Sequence, residues 1–181
     1  MKKILFCFCV AAFLLSCNSD SEKTAATSSS NPDSTKNAAT VDLPYKATYS
    51  SSWSADVSDA DLKTVMASYK YWEDGNMKEL ENLLGDSITV DFNNGEHFSG
   101  IKANLIKRWS TYRDSLSTVK IEMEGWHKMY STDKKNAFIV TWYGETDTYK
   151  NGKVDSASYH DINLIKDGKI VIYSQYKRIK K

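Results

Sequence analysis

The chain has 181 residues, 41% of them hydrophobic and 26% charged, with 24 Lys and Arg against 23 Asp and Glu. That length and apolar content allow one proper core, and they exclude both a multidomain machine and a polytopic membrane protein. The balanced charge lacks the basic excess of a nucleic-acid-binding domain. The three cysteines, Cys7, Cys9 and Cys17, all precede residue 18, which excludes disulfides, thiol catalysis and cysteine-ligated metal from the rest of the chain.

Met1, Lys2 and Lys3 make a positive start, and Ile4 to Leu15 is an apolar run too short to span a bilayer as a stable helix. The run ends in Leu14-Leu15-Ser16-Cys17, which resembles a bacterial lipobox. The resemblance implies that residues 1–16 are a lipoprotein signal peptide and that Cys17 carries acyl chains. The chain would then be anchored in the cell envelope, at the outer membrane, without crossing it. Residues 18–40 contain no Val, Ile, Leu, Met or aromatic, so they cannot bury enough to offset chain entropy. Residues 17–44 are therefore predicted to be the lipidated cysteine and a disordered tether reaching roughly 25–30 Å on average. The domain is expected over 45–181.

Ser58-Asp59-Ala60-Asp61 reads as a helix N-cap with acids in the first turn, followed by Leu62, Val65, Met66, Tyr69 and Trp72 at helical spacing up to Gly75. Asn76 with Glu79 resembles a second capping pair, before Met77, Leu80, Leu83 and Leu84. A strand, Ser87 to Phe92, an Asn93-Asn94-Gly95 turn and Gly100 come next, and Leu105, Ile106, Trp109 and Tyr112 mark a third helix. From Ser117 the period becomes two: Val119, Ile121 and Met123 alternate with Lys120, Glu122 and Glu124. Three more strands are predicted, at about Ala137 to Tyr149, Val154 to Ile165 and Lys169 to Ile179, joined by Asn151-Gly152 and Asp167-Gly168. The order α-α-β-α-β-β-β-β, with antiparallel strands grouped after the helices, is an α+β class.

This order is similar to that of the nuclear transport factor 2-like superfamily, in particular its SnoaL-like branch. The resemblance is carried by Tyr71-Trp72-Glu73-Asp74-Gly75-Asn76, by the Gly95 to Gly100 segment, and by Tyr159-His160-Asp161-Ile162-Asn163 leading to Asp167-Gly168-Lys169-Ile170. It spans about Asp59 to Lys177. It implies a curved antiparallel sheet wrapped around the N-terminal helices, a cone with a pocket inside. The superfamily includes isomerases, dehydratases, cyclases and epoxide hydrolases as well as members that only bind, so the fold does not give the activity.

Within that frame Asp91 corresponds to the strand position of the proton-abstracting Asp in the ketosteroid isomerase branch. A carboxylate desolvated there by Phe92 would have a raised pKa; the other reading is a solvated residue before the Asn-Asn-Gly turn. Asp161 matches the carboxylic acid that the isomerase branch keeps protonated. Strand alternation puts Asp161 and Asn163 on one face and His160 on the other, which disfavours a His160–Asp161 dyad. Tyr173 and Gln175 share the face expected to be concave, where Trp72, Trp109, Trp142 and Tyr143 would cover a ligand. His127 falls in step with Met123 and Met129, as a core histidine. The three histidines, His97, His127 and His160, have no metal-ligand spacing, and no phosphate-cradling loop or nucleophile motif is present; no cofactor or metal is expected.

The leading expectation is a lipid-anchored domain whose pocket holds a small, largely apolar ligand without chemistry. One alternative is a cofactor-independent isomerase, dehydratase or hydrolase, with Asp91 as base and Asp161 or Tyr143 polarising the substrate. Another is a dimeric interaction module of the envelope. A homodimer through the outer sheet face is expected, because Phe138, Val140 and Trp142 oppose Ile139 and Tyr143 with apolar side chains on both faces of one strand.

Overall fold

Helix α1 (Asp59–Asp74) begins where the Ser58 side chain accepts the Asp61 backbone N–H at 3.0 Å. It ends at Gly75, whose φ of 72° is costly for any residue with a Cβ. Helix α2 (Met77–Leu83) follows at once, capped by Asn76, whose Oδ1 accepts the Glu79 N–H at 3.3 Å. Both caps stand where the Ser-x-x-Asp and Asn-x-x-Glu spacings put them. The computed structural model describes residues 42–179; the expected signal, Cys17 and most of the tether lie outside the described residues.

The remaining elements are β1 (Trp53–Ser54), β2 (Leu84–Asp91), β3 (His97–Ile101), α3 (Lys102–Arg113), β4 (Leu116–Ser131), β5 (Asn136–Tyr149), β6 (Val154–Lys166) and β7 (Lys169–Ile179). They form one seven-stranded sheet in the order β1-β4-β5-β6-β7-β2-β3. Every neighbouring pair is antiparallel except β2 with β7. The class is α+β, with two strands that the sequence pattern does not announce. Both are edge strands: β1 is two residues long, and β3 pairs only with β2, so neither carries a strongly apolar face. The β6–β7 turn uses Asp167 at φ 51° and Gly168 at φ 72°, the paired left-handed conformations of a tight hairpin.

Alternation decides what faces the helices. From β5 the inward residues are Ile139, Thr141, Tyr143, Glu145 and Asp147, all buried. Paired with them on β6 are Asn163, Asp161, Tyr159, Ala157 and Asp155. Val65 and Tyr69 of α1 and Leu105 of α3 close this face together with Ile88, Val90, Ile139, Ile165 and Ile170. Full burial of such aliphatic side chains stabilises by about 1.5–3 kcal/mol each.

One register shift overturns an expectation. Met123 pairs with Tyr143, but Gly125 pairs with Trp142, so Glu124 is an extra residue in β4. A bulge of this kind reverses the parity of everything beyond it. His127, expected inward with Met123, pairs with outward-facing Val140 and is exposed.

Candidate functional site

Between the helices and the inner sheet face lies a cavity of about 340 Å³. Trp72 of α1, Trp109 and Tyr112 of α3, and Tyr143, Tyr159 and Tyr173 of the sheet provide its aromatic walls, with Phe92 just past β2. Its polar residues include Glu145, Asn163, Gln175, Lys177 and Arg108. Volume and lining are of the kind that suits a small, mostly apolar molecule.

Asp161 organises the polar side. It is fully buried, and its Oδ2 accepts three phenol hydroxyls, from Tyr69 at 2.9 Å, Tyr143 at 2.8 Å and Tyr173 at 2.8 Å. Burial pushes its carboxyl up to about 7, although the bonds from Tyr143, Tyr173 and Tyr69 pull the other way. Gln175 braces the same tyrosines from the next strand: its Nε2 donates to Tyr143 Oη at 3.1 Å and to Tyr173 Oη at 2.7 Å. Asn93 in turn donates to the Gln175 side-chain oxygen. The Tyr69 and Thr141 hydroxyls are bonded to each other at 2.6 Å. Burial raises the pKa of Tyr69, Tyr143 and Tyr173 well above the ordinary phenol value, and the Asp161 charge adds to this in each case. These tyrosines are proton holders near neutral pH, not bases.

A second acid stands on the same wall. Glu145, two residues along β5 from Tyr143, lines the cavity and is 9% exposed. Burial, with Asp147 and Asp161 nearby, pushes its carboxyl up to about 8, against the pull of Trp72 and Lys177. Asp147, held by the Tyr112 hydroxyl at 2.9 Å, is also raised by burial. The cations at the cavity have carboxylates of their own. Lys177 reaches Asp155 at 3.0 Å, and Arg108 pairs with Glu96 while lying 4.3 Å from the centre of the Phe92 ring.

Several sequence-predicted residues meet here: Trp72, Trp109, Tyr143, Asn163, Tyr173 and Gln175 line the cavity, and Asp161 sits against its tyrosines. Two do not. Asp91 lies on the outer side of β2, because Val90 and Phe92 take the inward positions on either side of it. Its side chain is 54% exposed, and bonds from His97 at 2.7 Å and Ser174 at 3.0 Å hold its pKa below the usual carboxylate value. It is a solvated residue before the turn, not a desolvated base. Trp142 likewise faces out, 40% exposed and stacked on His160 with ring centres 5.1 Å apart. His160 and Asp161 do point to opposite faces, so no dyad forms. Sequence reasoning missed Glu145, Tyr69, Tyr159 and Lys177. For Glu145 the sequence carries a signal: it shares parity with Tyr143, a residue expected to cover the ligand.

No protein-family model matches the chain, and no curated protein matches it significantly. Solved structures do. An LEH-like epoxide hydrolase of M. tuberculosis aligns with a TM-score of 0.57 at 9% identity, over 66% of this chain and 84% of that one. AusH from Aspergillus nidulans aligns with a TM-score of 0.55 at 13% identity, over 67% and 86%. An NTF2-like protein from Anabaena variabilis aligns with a TM-score of 0.53 at 18% identity, over 68% and 92%. At such identities the likeness speaks for architecture alone, and with the element order above it establishes that this chain has an NTF2-like fold.

Proposed function

We propose that the domain is a binding module whose aromatic cavity holds a small, largely apolar ligand, without chemistry. The observation that carries this reading is the separation of the two acids expected to work together. Asp91 is outside the cavity in water, and Asp161 has one oxygen committed to three tyrosines. What remains is a cavity of about 340 Å³ walled by aromatic rings, where apolar burial favours binding by about 25 cal/mol per Å². The reading includes a lipid anchor at Cys17, which would keep the pocket at a membrane of the cell envelope, and a homodimer through the outer sheet face. Support for the dimer is a ring ladder across three strands, Trp142 on His160 and His160 beside Tyr176, with both outer rings exposed. Native mass spectrometry of the purified protein is the test. A co-purified small molecule, lost when Trp109→Ala removes a cavity wall, is the expected result; a cavity that takes up no small molecule in this or in fluorescent-probe titrations would end the reading.

A second reading, a cofactor-independent isomerase, dehydratase or hydrolase, is favoured by one observation. Glu145 stands in the cavity wall with its pKa raised to about 8, the range in which a carboxyl exchanges protons at neutral pH. Turnover that disappears in Glu145→Gln with ligand still bound would decide for it.

A further inference from the structure

The hydrogen-bond inventory of the cavity is one-sided. Tyr143 and Tyr173 each have one hydroxyl proton, and both give it to Asp161 Oδ2. Gln175 Nε2 has two, and gives one to each of those tyrosine oxygens. Tyr69 also donates to Asp161. Asn163 Nδ2 turns to Tyr69 Oη and the Ile139 carbonyl, both at 3.4 Å. Among the described residues, the buried side-chain atoms of this face left without a partner are oxygens. Asn163 lines the cavity and is 1% exposed, and its Oδ1 has no partner among the described residues; nor has Asp161 Oδ1. Glu145 adds a carboxyl to the same wall. The cations facing the cavity are matched, Arg108 by Glu96 and Lys177 by Asp155, while Arg113 spends its guanidinium on the Trp72 and Glu73 carbonyls.

Resting on the reading of this cavity as a ligand pocket, we propose that its ligand is a small amine, bound as an ammonium ion with Glu145 as counter-ion and aromatic rings around it. An ammonium group only donates, and the Glu145 carboxylate only accepts once its proton has left. The π-faces of tryptophan and tyrosine attract a cation and receive its hydrocarbon part at the same time. A carboxylate needs donors, those of Tyr143, Tyr173 and Gln175 are already spent inside the protein, and its charge would stand beside the Glu145 carboxyl.

The proposal has a proton balance. In the free protein at pH 7 Glu145 is mostly protonated, since burial, then the charges of Asp147 of β5 and Asp161 of β6, raise its pKa, with Trp72 of α1 and Lys177 of β7 opposing them. An ammonium ligand stabilises the carboxylate, so the carboxyl O–H bond breaks and its proton leaves to solvent. The charge on the ligand is unchanged.

The test is calorimetric titration of the full chain at pH 7 with three compounds of one shape: tryptamine, tryptophol and indole-3-acetate. Repeating it in two buffers of different ionisation heat counts the protons released. Tryptamine is expected to bind at least about tenfold more tightly than tryptophol, with release of about one proton. Indole-3-acetate is expected not to bind. Glu145→Gln should weaken tryptamine about ten- to hundredfold, abolish the proton release and remove the preference for tryptamine over tryptophol. Tryptophol or indole-3-acetate binding as tightly as tryptamine would overturn the amine and leave the pocket standing. If none of the three binds, the amine is overturned, and a co-purified apolar molecule decides whether the pocket reading survives. Should Glu145→Gln fail to fold, tryptamine binding to the unaltered chain without proton release is enough to reject the role of Glu145.

Discussion

Asp161 and Gln175 lie opposite each other in the β6–β7 register and hold the same two tyrosine hydroxyls, Asp161 as acceptor and Gln175 as donor. The phenols of Tyr143 and Tyr173 are thereby fixed in rotation as well as position. Tyr143→Phe would leave Gln175 and Asp161 each one bond short inside the protein. The expected cost is about 1–3 kcal/mol of stability. Because Tyr143 is the foremost influence lowering the Asp161 pKa, the variant should also move the Asp161 titration above its present value of about 7. Carboxyl carbon NMR across pH 5–9 measures this, and an unmoved or lowered titration would contradict the network.

The buried acids set the pH dependence of stability. Asp161 rises from 3.8 to about 7 and Glu145 from 4.5 to about 8 on folding. A carboxyl raised in this way stabilises the fold fully below its unfolded pKa, and the contribution is lost as pH rises through the folded value. Asp91, with a lowered pKa, acts in the opposite sense and only as pH falls below about 4. The melting temperature should therefore decline as pH rises from about 4 to about 8, between the unfolded and folded values, and level off above. Glu145→Gln should lessen the decline and melt above the unaltered protein at pH 9. Differential scanning calorimetry at several pH values checks it; a flat profile would show that these acids are solvated.

Asp91→Asn should matter little. The side chain is exposed, and its bonds to His97 and Ser174 are made in water. A change within about 0.5 kcal/mol is expected, with ligand affinity unchanged. A large loss of binding in titrations of this variant would reinstate Asp91 as a site residue.

Trp142→Glu addresses the outer face. It puts a charge beside His160 in the exposed ring ladder, so light scattering at micromolar concentration should show a dimer for the unaltered chain and a monomer for the variant. A monomer before substitution removes the dimer.

Cys17→Ser addresses the anchor. Expressed with its N-terminal segment intact, the variant should leave the membrane fraction and lose the lipid label. Retention in the membrane without label would mean that something other than acylation holds it there.

Helix caps, helix stripes, hairpin turns and the α+β class were legible because they depend on residues close in sequence. Ser58 caps Asp61 and Asp167-Gly168 turns β6 into β7 whatever else the chain does. Alternation also placed Asp161, Asn163, Tyr173 and Gln175 inside, since each pair shares an uninterrupted stretch of strand. Where the pattern misled, the cause was parity, which local sequence does not count. The extra residue at Glu124 turned His127 outward, and Asp91 was assigned by the strand position that the resemblance implies, not by the faces of Val90 and Phe92. Trp142 was placed inside with Tyr143, though neighbours in a strand must part company.

Sequence alone determined the elements, their order and the residue types available to a pocket. Tertiary structure decided which acids would be buried. Glu145, an ordinary charged residue in a strand, becomes a neutral-pH titrating group because burial, with Asp147 and Asp161 nearby, disfavours its charge more than Trp72 and Lys177 favour it, and Asp161 gathers hydroxyls from α1, β5 and β7 onto one oxygen. Desolvation and hydrogen bonding act through space over a few ångströms. Residues 69, 143, 161 and 173 come within that range only when the sheet curls around the first helix.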